Sequence, residues 1–263
     1  MHIDRRAFLA TLGSAAVVEA MSSEARADAL EHYMIAQLDK PAALTAQPLV
    51  VRRGAGALFG GPSPSGQRPE LTALAAMPER PTLVDFIRFR GTPGIGNHIL
   101  QSANDALRKG ESEETVLACL LHDIAVNLIK VDHGWWAAQM VEPYVSEKVS
   151  WAIRYHQALR FFPDPSVGYG YPERYVQIFG EGYVPEPYIK AAYEKARKHK
   201  WYMEARMITV HDLYAFEPGV KVTLDPFIDV IGRHFKQPKE GLGFDASPVA
   251  HMWRSLIHPD NPL

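Results

Sequence analysis

Cysteine is nearly absent. Cys119 stands alone, so no internal disulfide can staple the fold, whatever the redox compartment. It lies in an apolar run and reads as core. A surplus of one charge is lacking as well. With 28 basic and 30 acidic side chains the net charge is −2, which offers no hold on nucleic acid or on an anionic membrane surface. No apolar run reaches the roughly 18 residues from which a permanent membrane helix is recognised. Strand-type alternation and internal repeats are missing too. What is present is an ordinary soluble composition over 263 residues, enough for one large domain or two small ones.

The N-terminus carries Asp4-Arg5-Arg6-Ala7-Phe8-Leu9-Ala10, then a short, mildly apolar stretch, then Ala25-Arg26-Ala27 with small residues in A-x-A spacing. This resembles a twin-arginine signal peptide. The resemblance implies the twin-arginine export machinery as a partner, a periplasmic or secreted mature chain from near Asp28, and no stable membrane anchor. An ordinary amphipathic N-terminal helix is the competing reading.

Residues 28–94 read as a loop-rich extension. A short amphipathic stretch occupies 29–38, and residues 54–70 hold five Gly and three Pro, which makes them a loop. Short helices are expected at 71–77 and 82–89, split by Pro81, with Arg88 and Arg90 exposed. From 95 onward the pattern is helical. Ile95, Ile99, Leu100, Ala103 and Leu107 recur at helix spacing, and Gly110 supplies a stop. Ser112-Glu113-Glu114-Thr115 starts the next helix. Further helices are expected at 133–140, at 146–162, at 187–200 and at 201–216, with a helical tail at 227–235 and 247–257. Residues 163–187, rich in Pro, Gly and Tyr, read as a long ordered loop of functional type. The fold class is all-α: a helical core over 95–216, with a tail from 217 to 263 packing on it.

Chemistry concentrates around residues 117–128. There His122 and Asp123 sit side by side inside an apolar run. Neighbours on a helix point about 100° apart, so both cannot face the centre of one buried side. A charged Asp among leucines is costly to bury unless it is paired or binds a metal. The bland alternative is a helix end emerging into solvent. His98, His133, His156 and Asp212 also lie within or beside apolar, helix-like segments.

The order His98 … His122-Asp123 … His133 … His156 … Asp212 resembles the HD-domain superfamily, in particular its branch with two metal ions. The resemblance spans about 95–216. It implies an all-helical core and six metal ligands, with Asp123 bridging the ions and serving the chemistry. Imidazole and carboxylate without thiolate favour iron, manganese or zinc. Two activities use the arrangement: oxygenases, similar to inositol oxygenase and the HD-domain phosphonate oxygenases, and phosphohydrolases.

The spacings from His98 to His122 and from His133 to His156, and the tail Asp212-Leu213-Tyr214, lean toward the oxygenases. Arg160 falls where the phosphonate oxygenases carry a Lys that contacts the phosphonate. The implied cofactor is a pair of iron ions (manganese or zinc as the alternative), with dioxygen and a small polar or anionic organic substrate. Arg160 would hold the substrate's anionic group, although a plain surface Arg fits the sequence equally well. The chain departs from the pattern at Val126, where many HD enzymes carry Lys or His. It departs again in 89–97, where the Tyr and Glu that gate iron have no match, and in His133, which follows Asp123 unusually soon and is the weakest member of the set. A non-catalytic metal protein is the further alternative. Lys130, Tyr169, Tyr171 and Tyr175 are weaker pocket candidates; Asp132 is one candidate partner for His133, with surface solvation the favoured reading. His211, beside Asp212, reads as packing or support. His2, His32, His199, His234, His251 and His258 read as structural or exposed.

Overall fold

A computed structural model describes residues 8, 9, 21, 26, 27, 29–31, 33, 34, 82–90, 93–126 and 132–236. The chain is all-α, as expected. Among the described residues there is no strand, only an isolated bridge between Asp164 and Tyr169. The helices are α1 (Leu83–Arg90), α2 (Pro93–Arg108), α3 (Glu113–Leu121), α4 (His133–Val141), α5 (Glu147–Leu159), α6 (Glu173–Phe179), α7 (Pro187–Ala196), α8 (Tyr202–Leu213) and α9 (Ile228–His234). Short 3-10 turns occupy Pro165–Val167 and Asp225–Phe227. Residues 26, 27, 29–31, 33 and 34 are helical as well. None of the described helices is long and apolar enough to cross a membrane.

Local chemistry sets the helix limits. Ser112 caps α3 by accepting from the Thr115 amide at 3.2 Å, and Ser146 caps α5 by accepting from Val149 at 3.4 Å. Gly110, in the left-handed region at φ +77, ends α2. One expectation is corrected. Residues 163–187 are not a continuous loop, because α6 lies within them, buried through Tyr175 and Ile178. The expected helices at 71–77 and 247–257 lie outside the described residues, as do Lys130 and most of the N-terminal signal motif.

Helices α2, α3, α5 and α8 form the centre, with α8 seated on both α5 and α2, and α4 lying along α5. α3 is apolar on every side and wholly buried from Thr115 to Leu121, as a helix inside a bundle must be. Arg206 of α8 is buried too. It donates to the Leu159 and Phe162 carbonyls at 3.2 and 2.9 Å, tying α8 to the end of α5 and the turn that follows.

Candidate metal centre

The end of α3 resolves the geometric conflict between His122 and Asp123. The helix stops at Leu121, and residues 122–126 turn, with Ile124 donating to Leu121 and Val126 to Asp123. Off the helix, the two adjacent side chains both aim inward, and both are fully buried. His98 comes from α2, His133 opens α4, His156 lies on α5, and Asp212 lies near the end of α8. All six residues come together. His98 Nε2 is 3.2 Å from Asp212 Oδ1 and 3.4 Å from Asp123 Oδ2. His122 Nε2 is 3.5 Å from Asp123 Oδ1, and His133 Nε2 is 3.0 Å from the same oxygen. The His156 ring lies 5.2 Å from that of His122 and 5.8 Å from that of His133.

Three of the rings are held the same way. The Nδ1 atoms of His98, His122 and His156 lie 3.1, 2.7 and 2.6 Å from the carbonyls of Ala215, Cys119 and Ile153. A carbonyl only accepts, so each Nδ1 carries a proton and Nε2 is the atom that each ring presents to the centre. Those three Nε2 atoms, both Asp123 oxygens and Asp212 Oδ1 are buried without an acceptable hydrogen bond among the described residues. So many converging, unsatisfied donor atoms would be costly in an apolar core. A cation among them removes the cost, and the residues present therefore fit a metal. The groups His98–His122–Asp123, Asp123–His133–His156 and Glu31–His98–Asp212 each bring their ligand atoms within 4.8 Å of one another.

Electrostatics agrees with this grouping. Burial alone would raise the Asp123 carboxyl, yet His122 and His133 hold it well below the usual carboxylate range. Burial presses His98 down, but the carboxylates of Asp123 and Asp212 prevail and raise it well above 6.5. His156, with no carboxylate so close, is lowered to about 3 by burial and by the charges of His122 and His133.

Glu31 was not among the sequence candidates. It reaches the centre from the N-terminal helical segment, its Oε2 lying 3.5 Å from His133 Nε2 and 3.4 Å from Arg160 Nη1. Burial, and then the charges of Asp123 and Asp212, push its carboxyl up to about 8. Its one legible signal is an acid between Leu30 and Tyr33 on an amphipathic stretch, too weak to place it here. Arg160 is not a surface Arg. It caps α5, is buried, and faces a narrow pocket beside Asp212. Tyr169 and Tyr175 line that pocket too, and Tyr169 donates to the Arg160 carbonyl at 2.8 Å. Arg174, also unforeseen, lines the far wall and donates to the Leu213 carbonyl at 3.1 Å.

Of the two readings of Asp132, the solvent-exposed one agrees with the structure. Asp132 is exposed at the start of α4, in left-handed backbone at φ 54, while the side chain that meets His133 Nδ1 is Gln157, at 3.3 Å. His211 is buried and supports α8: its Nδ1 lies 2.7 Å from Asp105 Oδ2 on α2. Cys119 is core, its thiol pushed up by burial. Compared with known proteins, the chain matches no family model and no curated protein.

Proposed function

We propose that the chain is an exported HD-type metalloenzyme, a dinuclear iron oxygenase acting on a small anionic organic substrate. The observation that carries this reading is the buried convergence of three imidazoles, their Nε2 atoms turned inward, on Asp123 and Asp212. Such a nitrogen-rich, thiolate-free donor set suits iron, manganese or zinc. Bound there, a pair of iron ions would supply the redox chemistry and a site for dioxygen.

The chain's own residues do the rest. Asp123, whose two oxygens face different histidines, would help to hold the ions. Arg160 offers a planar guanidinium beside Asp212, matched to a carboxylate or phosphonate. Glu31 Oε2 lies 3.4 Å from Arg160 Nη1, and its raised carboxyl is largely protonated at neutral pH, so it opposes an incoming anion only weakly. Met34 and Phe216 give the pocket apolar walls that limit water. Export rests on the Arg5-Arg6 motif.

A phosphohydrolase is the second reading, since the same guanidinium matches phosphate, and metal-activated water needs no redox-active ion. Purification under anaerobic conditions, followed by metal analysis and electron paramagnetic resonance, separates the two. The proposal expects two irons per chain, a signal on partial reduction, and dioxygen uptake with a small anionic substrate. Zinc or manganese in place of iron should abolish turnover. Cleavage of phosphate esters by manganese-loaded protein without dioxygen would overturn the oxygenase. Asp123→Ala should abolish either activity.

A further inference from the structure

We infer that Gln157 makes the two metal positions unequal, by holding His133 in the tautomer that cannot ligate. The inference rests on the metal-centre reading of the preceding section. Gln157 Oε1 accepts from the Gly134 backbone N–H at 2.7 Å. A backbone amide can only donate, so this contact fixes which way the Gln157 amide faces. Its nitrogen then lies 3.3 Å from His133 Nδ1. That nitrogen is also only a donor, so Nδ1 of His133 must accept. The proton of the neutral ring therefore sits on Nε2, the atom 3.0 Å from Asp123 Oδ1. A nitrogen bearing a proton has no lone pair for a cation.

The contrast with the other rings is internal to the site. His98, His122 and His156 face carbonyls through Nδ1, which leaves Nε2 able to ligate. His133 alone of these four faces an amide nitrogen through that atom. The spacing is also enforced sterically. α4 approaches α5 so closely that a Cβ on Gly134 would lie 2.7 Å from His156 Cε1 and 2.9 Å from Gln157 Oε1. The first position, His98, His122, Asp123 and Asp212, has each ring set with Nε2 inward and needs only the His98 proton to leave. The second, around Asp123 and His156, lacks its third donor until the Gln157 contact breaks. Here His133 lies against Asp123 Oδ1 and is a positioning residue in the resting arrangement.

A substitution that reverses the polarity should equalise the positions. In Gln157→Glu the carboxylate still accepts from Gly134, and it now accepts from His133 Nδ1–H as well, which turns a lone pair on Nε2 inward. Supporting groups of this kind change metal affinity about 10- to 100-fold. The test is titration of metal-stripped, full-length protein with Mn²⁺, followed by calorimetry and by paramagnetic resonance. The wild type should take one ion tightly and a second at least about tenfold more weakly. Gln157→Glu should tighten the second by about 10- to 100-fold and show a coupled two-ion signal. Nitrogen NMR of the metal-free wild type, above neutral pH, reads the tautomers directly and needs no variant. His133 should carry its proton on Nε2, and His122 and His156 on Nδ1. Two ions of equal affinity in the wild type, an unchanged weak phase in Gln157→Glu, or a proton on His133 Nδ1 would each overturn the inference and leave the metal centre standing. Failure of the wild type to bind any Mn²⁺ would remove both.

Discussion

On His98 a proton and a metal ion compete for one atom. Burial disfavours the charged ring, but Asp123 and Asp212 outweigh it and raise the pKa well above 6.5, so metal-free protein keeps the Nε2 proton at neutral pH. A cation must expel that proton, and its apparent affinity therefore rises with pH until the raised pKa is passed. Calorimetry near neutral pH, in two buffers of different ionisation heat, should record proton release on Mn²⁺ binding. Affinity that stays flat from mildly acidic to mildly basic pH would sink the point. Gly134 gives a second residue-scale test. Gly134→Ala drives a methyl to 2.7 Å from His156 Cε1, and overpacking of this kind costs about 1–3 kcal/mol. Urea unfolding should show that loss, together with weakened metal binding because the His156 ring is displaced. At this scale the sequence was informative where order along the chain was enough. It showed His98, His122, Asp123, His133, His156 and Asp212 as one pattern. Glu31 and Arg174 were hidden, because each reaches the site from a segment whose approach depends on tertiary packing. Gln157 was hidden for the same reason: its role follows from the Gly134 contact, not from its neighbours in the chain.

The helices place the ligands, and their ends matter more than their middles. His122 and Asp123 follow the last turn of α3, His133 opens α4, and Arg160 caps α5. The starts of α3 and α5 were legible, since Ser112 and Ser146 precede apolar runs and each accepts from an amide three residues on. Ser112→Ala should cost about 1 kcal/mol in chemical denaturation, with the Mn²⁺ stoichiometry unchanged. An altered stoichiometry would mean that the start of α3, and not only its end, sets the His122 geometry. α6 was not legible. Its seven residues lie between Pro172 and Gly180, in a stretch whose Pro, Gly and Tyr content reads as loop. What makes it a helix is tertiary: Tyr175 and Ile178 are one turn apart, and both reach the core. That burial places Tyr175 and Arg174 on the pocket beside Arg160.

Across the whole molecule, the N-terminus joins stability to location. Phe8, inside the Arg5-Arg6-Ala7-Phe8-Leu9 motif, is fully buried, and its ring meets Tyr33 edge-on at 5.5 Å. Ala27 is buried as well, and Arg26 lies over the Phe179 ring at 5.2 Å. If the twin-arginine signal is used and removed near Asp28, the mature chain loses Phe8 from the core and keeps Glu31 and Met34 at the pocket. Truncation of a buried Phe to Ala costs about 3–5 kcal/mol. Phe8→Ala in the full chain should therefore lower the denaturation midpoint clearly, and a chain beginning at Asp28 should show a loss of at least similar size. Both should still bind Mn²⁺, because Phe8 is not one of the ligands, whereas a chain cut beyond Met34 should lose Glu31 and its contacts with His133 and Arg160. Export is read separately, by changing Arg5 and Arg6 to Lys and locating the protein. Retention in the cytoplasm, together with a mature form that lacks Phe8, supports a signal whose Phe8 packs on the fold only before cleavage. Unchanged location, with Phe8 retained in the isolated protein, makes residues 8 and 9 part of a permanent helix and removes the export claim.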